Sequence, residues 1–374
     1  MSLQNQSSSV VIAEEELGEL QQQVQRLLDR ANAMADNQAS WVTRALLACR
    51  LSVDIEQIRD AGEDPIPQLK ALFETALEFP EWMRAMHEPE RFHRYLSRGD
   101  TTDLSPMGCS TTDVARQSGT FWSDLWVQYD DAAYFRETYE LLSTRFELNQ
   151  VPLSWIRGKR CLDDGCGAGR YAAALARIGA ARVDGVDIGL KAIQDAQHRA
   201  HAAGFTHVHY HHASVLTLPF VDNTFDFVFS NGVLHHTADP VEGLREAHRV
   251  LKPGGHLWLY VLGTGGFADR WDDAMRGLLK LVPRETTEYC MRLLGFSTQR
   301  RFFFLDVWYA PIRVRYSSEA LERLLASLGF TELRRLVRDV SRPYYTEINE
   351  QVYQKFPYAT FWFGDGEQRY VAKK

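Results

Sequence analysis

The sequence predicts an α/β fold, a mostly parallel sheet covered by helices on both faces and preceded by a helical region. From Arg160 onward short apolar runs alternate with stretches of helical period, the pattern of strands joined by helical crossovers. A glycine-rich turn stands between the first of those runs and the helix after it. Upstream of Arg160 the apolar residues recur at three- and four-residue steps, as helices require.

In the helical region Leu17, Leu20, Val24, Leu27, Ala31 and Met34 keep heptad steps, but over too short a run for a coiled coil. An amphipathic helix packed on its own domain is the preferred reading, with a homodimer through the N-terminal helices as the alternative. Further helices are expected at Trp41–Leu51, Pro67–Leu77 and Pro89–Leu96, and the polar stretch Ser97–Thr112 reads as a linker. Arg160–Asp164 is the first strand. Tyr171, Ala174, Leu175 and Ile178 mark one helix face, closed by Gly179. Val183–Asp187 is the second strand, followed by a helix that stops near Gly204; Val208 and Tyr210 suggest the third, and Phe225–Ser230 is apolar enough for a central one. Asp239, Pro240 and Glu242 supply an N-cap, a first-turn proline and a capping-box acid. That helix is expected to end at Lys252-Pro253-Gly254-Gly255, before a fifth strand over His256–Val261. Leu321, Leu324, Leu325 and Leu328 mark a last helix closed by Gly329, with Leu333–Val337 and Arg369–Ala372 as final strands.

With 374 residues, 45% hydrophobic and 24% charged, the chain has the composition of a globular protein longer than one typical domain. No run approaches the roughly 18 apolar residues of a membrane span, and Met1–Val11 lacks the pattern of a signal peptide. The five scattered cysteines, without a C-x-x-C pair, argue against a disulfide framework or zinc site and fit a reducing cytoplasm. A net charge of −7 with no long basic run gives little reason to bind nucleic acid.

The decisive segment is Leu162-Asp163-Asp164-Gly165-Cys166-Gly167-Ala168-Gly169. Three alternating glycines between strand and helix let the backbone approach a ligand where a Cβ would clash. Gly167-x-Gly169-x-x-Ala172 also satisfies the loose dinucleotide fingerprint, and Asp187 lies about 20 residues on, where a ribose-binding acid belongs. An NAD-type oxidoreductase therefore has to be weighed; a P-loop is excluded, because no Gly-Lys-Ser/Thr follows.

The turn Asp163-x-Gly165-x-Gly167-x-Gly169 resembles the first motif of class I S-adenosylmethionine-dependent methyltransferases, and Gly185-Val186-Asp187-Ile188 resembles their second. Leu218-Pro219-Phe220-x-Asp222-Asn223-x-Phe225-Asp226, Asn231-Gly232-Val233-Leu234-His235-His236 and Leu251-Lys252-Pro253-Gly254-Gly255 are similar to the family's later segments, in the same order. The branch resembled includes ubiquinone and menaquinone C-methyltransferases and many small-molecule enzymes. The resemblance implies a Rossmann-like, doubly wound, seven-stranded sheet with an antiparallel last strand. It divides the chain into a helical region, residues 1–112, and a methyltransferase domain, 113–374, with a substrate-cap insertion at about 263–316. It also implies S-adenosylmethionine as cofactor. Gly165 and Gly167, with Cys166 between them, would face its methionine part and Asp163 would support its amino group. Asp187 would bind the ribose and Ile188 the adenine, and Asn231 would line the site. Where family members often carry an acid for the adenine amino group this chain has Ser214, whose hydroxyl, with the backbone of Val215, can still form hydrogen bonds.

Gly179, Gly204 and Gly329 read as helix stops. His207, His209 and His211 share one face of a strand that the family topology puts at the sheet edge; a solvated edge is preferred to a metal site, since no carboxylate or cysteine completes the set locally. His235 and His236 follow the fourth strand, where open α/β sheets expose their ligands. Either could serve as the base that an alcohol, phenol or carbon acid needs, or could cap and pack. No Asn/Asp-Pro-Pro-Tyr motif follows that strand, which lowers nucleobase and protein-glutamine acceptors. Two aromatic groups, Trp122, Trp126, Tyr129 and Tyr134, and Phe302, Phe303, Phe304, Trp308 and Tyr309, either shape an acceptor pocket or hold the extra helices in place. The expectation is methyl transfer to a small molecule; a protein acceptor, or a non-catalytic cofactor-binding regulator, is the alternative.

Overall fold

The computed structural model describes residues 12–34, 36–86, 111–126, 131–336 and 358–374. Three helices open it, α1 (Glu14–Asn32), α2 (Gln38–Ala61) and α3 (Pro65–Met86), and α4 (Thr111–Trp126) and α5 (Thr138–Leu148) precede the sheet. The alternating part runs β1 (Arg160–Asp164), α6 (Arg170–Ile178), β2 (Arg182–Asp187), α7 (Leu190–Ala202), β3 (Val208–His212), β4 (Phe225–Asn231), α8 (Pro240–Val250) and β5 (Leu251–Gly263). Three helices follow, α9 (Phe267–Leu278), α10 (Arg284–Leu293) and α11 (Thr298–Tyr309). The chain closes with β6 (Arg315–Tyr316), α12 (Ser318–Ser327), β7 (Thr331–Arg335), α13 (Ala359–Phe363) and β8 (Gln368–Lys373). The helix expected at Pro89–Leu96, most of the linker expected at Ser97–Thr112, and Tyr129 lie outside the described residues.

The chain forms two compact units. One comprises Met1–Gly108, Gly266–Tyr309 and Tyr353–Trp362; the other comprises Cys109–Gly265, Ala310–Val352 and Phe363–Lys374. In the first, α1 packs on α3 and α9, and α2 packs on α10. The heptad positions Leu20, Leu27 and Ala31 are buried there. The rings of α11 are core as well: Phe302, Phe304 and Trp308 are buried, and Phe304 lies 4.7 Å from Trp308 between centroids.

The second unit is the sheet, in the order β3-β2-β1-β4-β5-β8-β7, with the two-residue β6 paired to β5 off that path. The first five strands are parallel to their neighbours, and β8 runs antiparallel between β5 and β7. The period-two alternation within each strand feeds both faces. Cys161, Val183, Phe227, Phe229 and Trp258 pack against α5, α6 and α7. Leu162, Val186, Val228, Leu257 and Leu259 pack against α8 and α12. From β1 the chain moves outward to β2 and β3, then returns to β4 on the other side of β1. The carboxyl ends of β1 and β4 thus form the switch point at which such sheets bind ligands.

Two local readings change. The segment Lys252-Pro253-Gly254-Gly255 is not a turn between helix and strand: α8 ends at Val250 and β5 already begins at Leu251. The register against β4 jumps from Phe225↔Leu251 to Phe227↔His256, so the segment forms a bulge, where a proline without an N–H is tolerated. At α8, Asp239 caps the helix by accepting from the Glu242 N–H at 3.0 Å, while the Glu242 carboxylate turns to Arg245.

Candidate functional site

A cavity of about 340 Å³ opens at the carboxyl ends of β1, β2 and β4. Its floor is the turn after β1. Gly165 has φ +79, and a Cβ there would lie 2.3 Å from the Val233 side chain. The Gly165 and Cys166 N–H groups both donate to the Val186 carbonyl, tying the turn to β2. On its outer side two phenols hold the carbonyls: Tyr134 donates to Ala168 O at 2.6 Å and Tyr210 to Gly169 O at 3.2 Å. Tyr134 sits in a six-residue π-helical stretch, Ala132–Glu137, a distortion frequent at functional sites.

Asp187, at the end of β2, braces two turns at once. Its Oδ2 accepts from the Gly167 N–H at 2.8 Å and its Oδ1 from the Gly189 N–H at 2.7 Å. Burial raises its pKa, and the amide donors and the nearby His212 counter part of that rise. Asp187, Ile188, Ser214, Val215, Asn231, Gly165, Cys166 and Gly167 all line the cavity. The Ser214 hydroxyl accepts from the Leu216 N–H at 3.1 Å, which leaves its own proton to donate. Cys166 is a buried thiol pushed well above its usual range by desolvation and the neighbouring carboxylates. Asp163 lies beneath this lining, 2% exposed, with Oδ2 unpartnered. Burial pushes its carboxyl up to about 8 against a backbone hydrogen bond from Ala172, and the adjacent Asp164 and Asp187 raise it further. The Arg170 charge counters part of that rise; a buried carboxyl oxygen with no hydrogen-bond partner, under a turn that a Cβ would block, fits a ligand bearing a positive amino group.

The two histidines separate. His236 faces the cavity. Its Nδ1 lies 2.8 Å from the Ile312 carbonyl, and its ring packs on Trp122 at 4.6 Å between centroids. A carbonyl accepts only, so Nδ1 carries the proton and Nε2 is the basic nitrogen. His235 is 2% exposed and lies behind its neighbour. Desolvation, with the charges of His236, Arg313 and Arg369, holds its pKa well below the usual imidazole range, so it is neutral.

Elsewhere, His211 Nε2 is 3.0 Å from Asp184 Oδ1, a buried carboxylate that Arg160 and Arg182 also engage. The sequence reading found no local acid for these histidines; β2 supplies one from the neighbouring strand. Among the described residues no three of His, Cys, Asp and Glu converge as metal ligands. Sequence reasoning missed Ser118, Arg170 and Tyr171, which also line the cavity. Tyr171 fitted the apolar face of α6, and nothing local distinguishes a core ring from one whose hydroxyl reaches a site. Trp122 and Tyr134 line the same cavity; the Trp126 side chain lies outside the described residues.

The fold is a Rossmann-like sheet with a glycine-turned cavity at its switch point, the place where such sheets bind their ligands. A family model described as a methyltransferase domain matches residues 162–259. A ubiquinone biosynthesis O-methyltransferase of Paracidovorax citrulli is 33% identical over 46% of this chain and 78% of its own length. A 27-O-demethylrifamycin SV methyltransferase of Amycolatopsis mediterranei is 31% identical over 46% of this chain and 64% of its own length. A tRNA U34 carboxymethyltransferase of Methylococcus capsulatus is 36% identical over 48% of this chain and 47% of its own. The chain belongs to the class I S-adenosylmethionine-dependent methyltransferases, in the branch with small-molecule enzymes, and S-adenosylmethionine is its cofactor.

Proposed function

We propose that the protein methylates a hydroxyl oxygen of a small, largely apolar acceptor, with His236 as the general base. The orientation of His236 carries this reading: the Ile312 carbonyl fixes Nδ1–H, so the basic Nε2 belongs to a ring that lines the cofactor cavity beside Trp122. The cofactor supplies an electrophilic sulfonium methyl. An alcohol or phenol is a weak nucleophile until it loses its proton, and a positioned imidazole contributes about 10²–10⁴ in rate. Alignment of acceptor and methyl contributes on the order of 7 kcal/mol or more. The cofactor is held by Asp187 at the ribose, by Ile188, Ser214 and Val215 at the adenine, and by Gly165, Cys166 and Gly167 along the methionine, with Asp163 beneath its ammonium. The Paracidovorax relative is named an O-methyltransferase and the Amycolatopsis relative is named for a 27-O-demethyl compound, which supports an oxygen acceptor.

A nucleic-acid acceptor is the second reading, favoured by the relative named for tRNA; the net charge of −7 weighs against it. Four of the cysteines are free and buried, which supports a cytoplasmic setting, and no helix among the described residues is long and apolar enough to cross a membrane. The test is labelled S-adenosylmethionine with separated metabolite, RNA and protein fractions of a cell extract, and with simple catechols. Label in a metabolite, released as methyl iodide on ether cleavage with hot hydriodic acid, supports the reading; label confined to RNA or protein refutes it.

A further inference from the structure

We infer that Asp164 selects the charge of what this cavity holds: its carboxylate favours the sulfonium form of the cofactor over the neutral thioether that remains after transfer. The inference rests on the cofactor assignment and goes beyond it, because none of the contacts named above distinguishes the two forms.

Asp164 ends β1, and the next residue, Gly165, lines the cavity. Alternation along the strand turns Asp163 and Asp164 to opposite faces of the sheet. Asp164 shares its face with Leu162, which belongs to an apolar cluster with Val186, Val228 and Leu234. In that company its carboxyl is 0% exposed, and neither oxygen has a hydrogen-bond partner. The Ser230 hydroxyl, on the same face of β4 as Val228, is likewise buried and completes no hydrogen bond. A carboxylate held this way is costly unless a positive charge stands near it.

Among the described residues the groups that bear on Asp164 are Ser230 and the carboxylates of Asp187 and Glu246, and none is a cation. Asp163, on the opposite face, is itself raised by Asp164. Burial pushes the Asp164 carboxyl up to about 7; Ser230 counters part of that rise, and Asp187 and Glu246 add to it. A ligand with a permanently cationic sulfur brings the charge that these neighbours lack. It should draw Asp164 into the ionised form and be held more tightly in return. Once the methyl has left, the sulfur is neutral and that attraction is gone, so the product is held less tightly than the substrate was.

5′-Methylthioadenosine and its S-methyl sulfonium salt differ only in the methyl that creates the charge, and neither has another group that titrates near neutral pH. Displacement of labelled S-adenosylhomocysteine reads the affinity of each. With the native chain the preference for the sulfonium is expected to widen about five-fold or more between about pH 5.5 and about pH 8.5, as Asp164 loses its proton. Asp164→Asn keeps the shape and removes the charge, so most of that widening should disappear. Asp163, Asp187, Glu246 and His236 all remain in the variant, so what differs between the two chains belongs to Asp164. At about pH 8.5 the variant should melt no lower than the native chain, since an unpaired buried charge has been removed. A native preference that does not widen with pH overturns the inference. So does an Asp164→Asn variant that keeps the native widening, or one that melts lower and thereby shows the carboxylate to be paired within the fold. A native chain that fails to bind labelled S-adenosylhomocysteine overturns the cofactor assignment instead.

Discussion

Replacing Asp187 with alanine tests ligand binding and local architecture together, because its carboxylate already has two structural tasks. Oδ2 accepts from Gly167 and Oδ1 from Gly189, at 2.8 and 2.7 Å, and both amides belong to turns around the cavity. Hydrogen bonds to a charged group contribute about 1.5–3 kcal/mol each, so the ligand-free chain should lose about 3–6 kcal/mol. That is a large part of an ordinary domain's stability of about 5–15 kcal/mol. The melting temperature should fall by about 10 °C or more. The ribose hydroxyls lose a charged acceptor as well, so affinity for S-adenosylhomocysteine should drop at least about ten-fold. Asp187→Asn separates the effects: one oxygen still accepts, but the new NH2 meets a backbone donor, so it should be destabilised to an intermediate degree. Scanning calorimetry and titration calorimetry on the same preparations read both quantities. An alanine variant that melts and binds like the native chain would refute the reasoning.

His236→Gln should slow turnover about a hundred-fold and abolish the acid limb of the pH–rate profile with little change in cofactor affinity, whereas His235→Gln should lower the melting temperature and leave that limb intact. Normal turnover in His236→Gln would end the general-base proposal. The folded pKa of Asp163 is raised to about 8 from 3.8, so the folded chain holds a proton that the unfolded chain has released. The sign is therefore a loss of stability as pH rises from about 4 to about 8, and Asp163→Asn should flatten that slope. Near pH 7 the cofactor's ammonium should drive that proton off; titrations in buffers of different ionisation heat should show release that falls in Asp163→Asn, and equal release would disprove the coupling. Gly165→Ala combines a left-handed backbone with a Cβ 2.3 Å from Val233, so it should lose cofactor binding and melt earlier. A variant with native affinity would show that the turn can move aside.

The sequence by itself determined the strands, most of their helices and the order of the cofactor turns, because each rests on neighbours within a few residues. Period-two and period-3.6 patterns, the Gly165-Cys166-Gly167 turn and the acid of Asp187 are local signals of that kind. What the site residues do to one another was decided only by tertiary structure. Ile312, whose carbonyl fixes the His236 tautomer, is 76 residues away in the chain, and Arg369, which orients Asn231, is 138 residues away. The pairing of β5 with β4 and β8 brings Arg369 to Asn231, and the pairing of β5 with β6 holds the chain beside Ile312; register is chosen by packing over the whole sheet rather than by any one segment. The same cause turned Lys252-Pro253-Gly254-Gly255 from a helix stop into a bulge, and gave His211 a carboxylate on the adjacent strand. Local propensity fixes which elements form; hydrogen bonds and burial between distant elements fix which of their side chains face the cavity and with what charge.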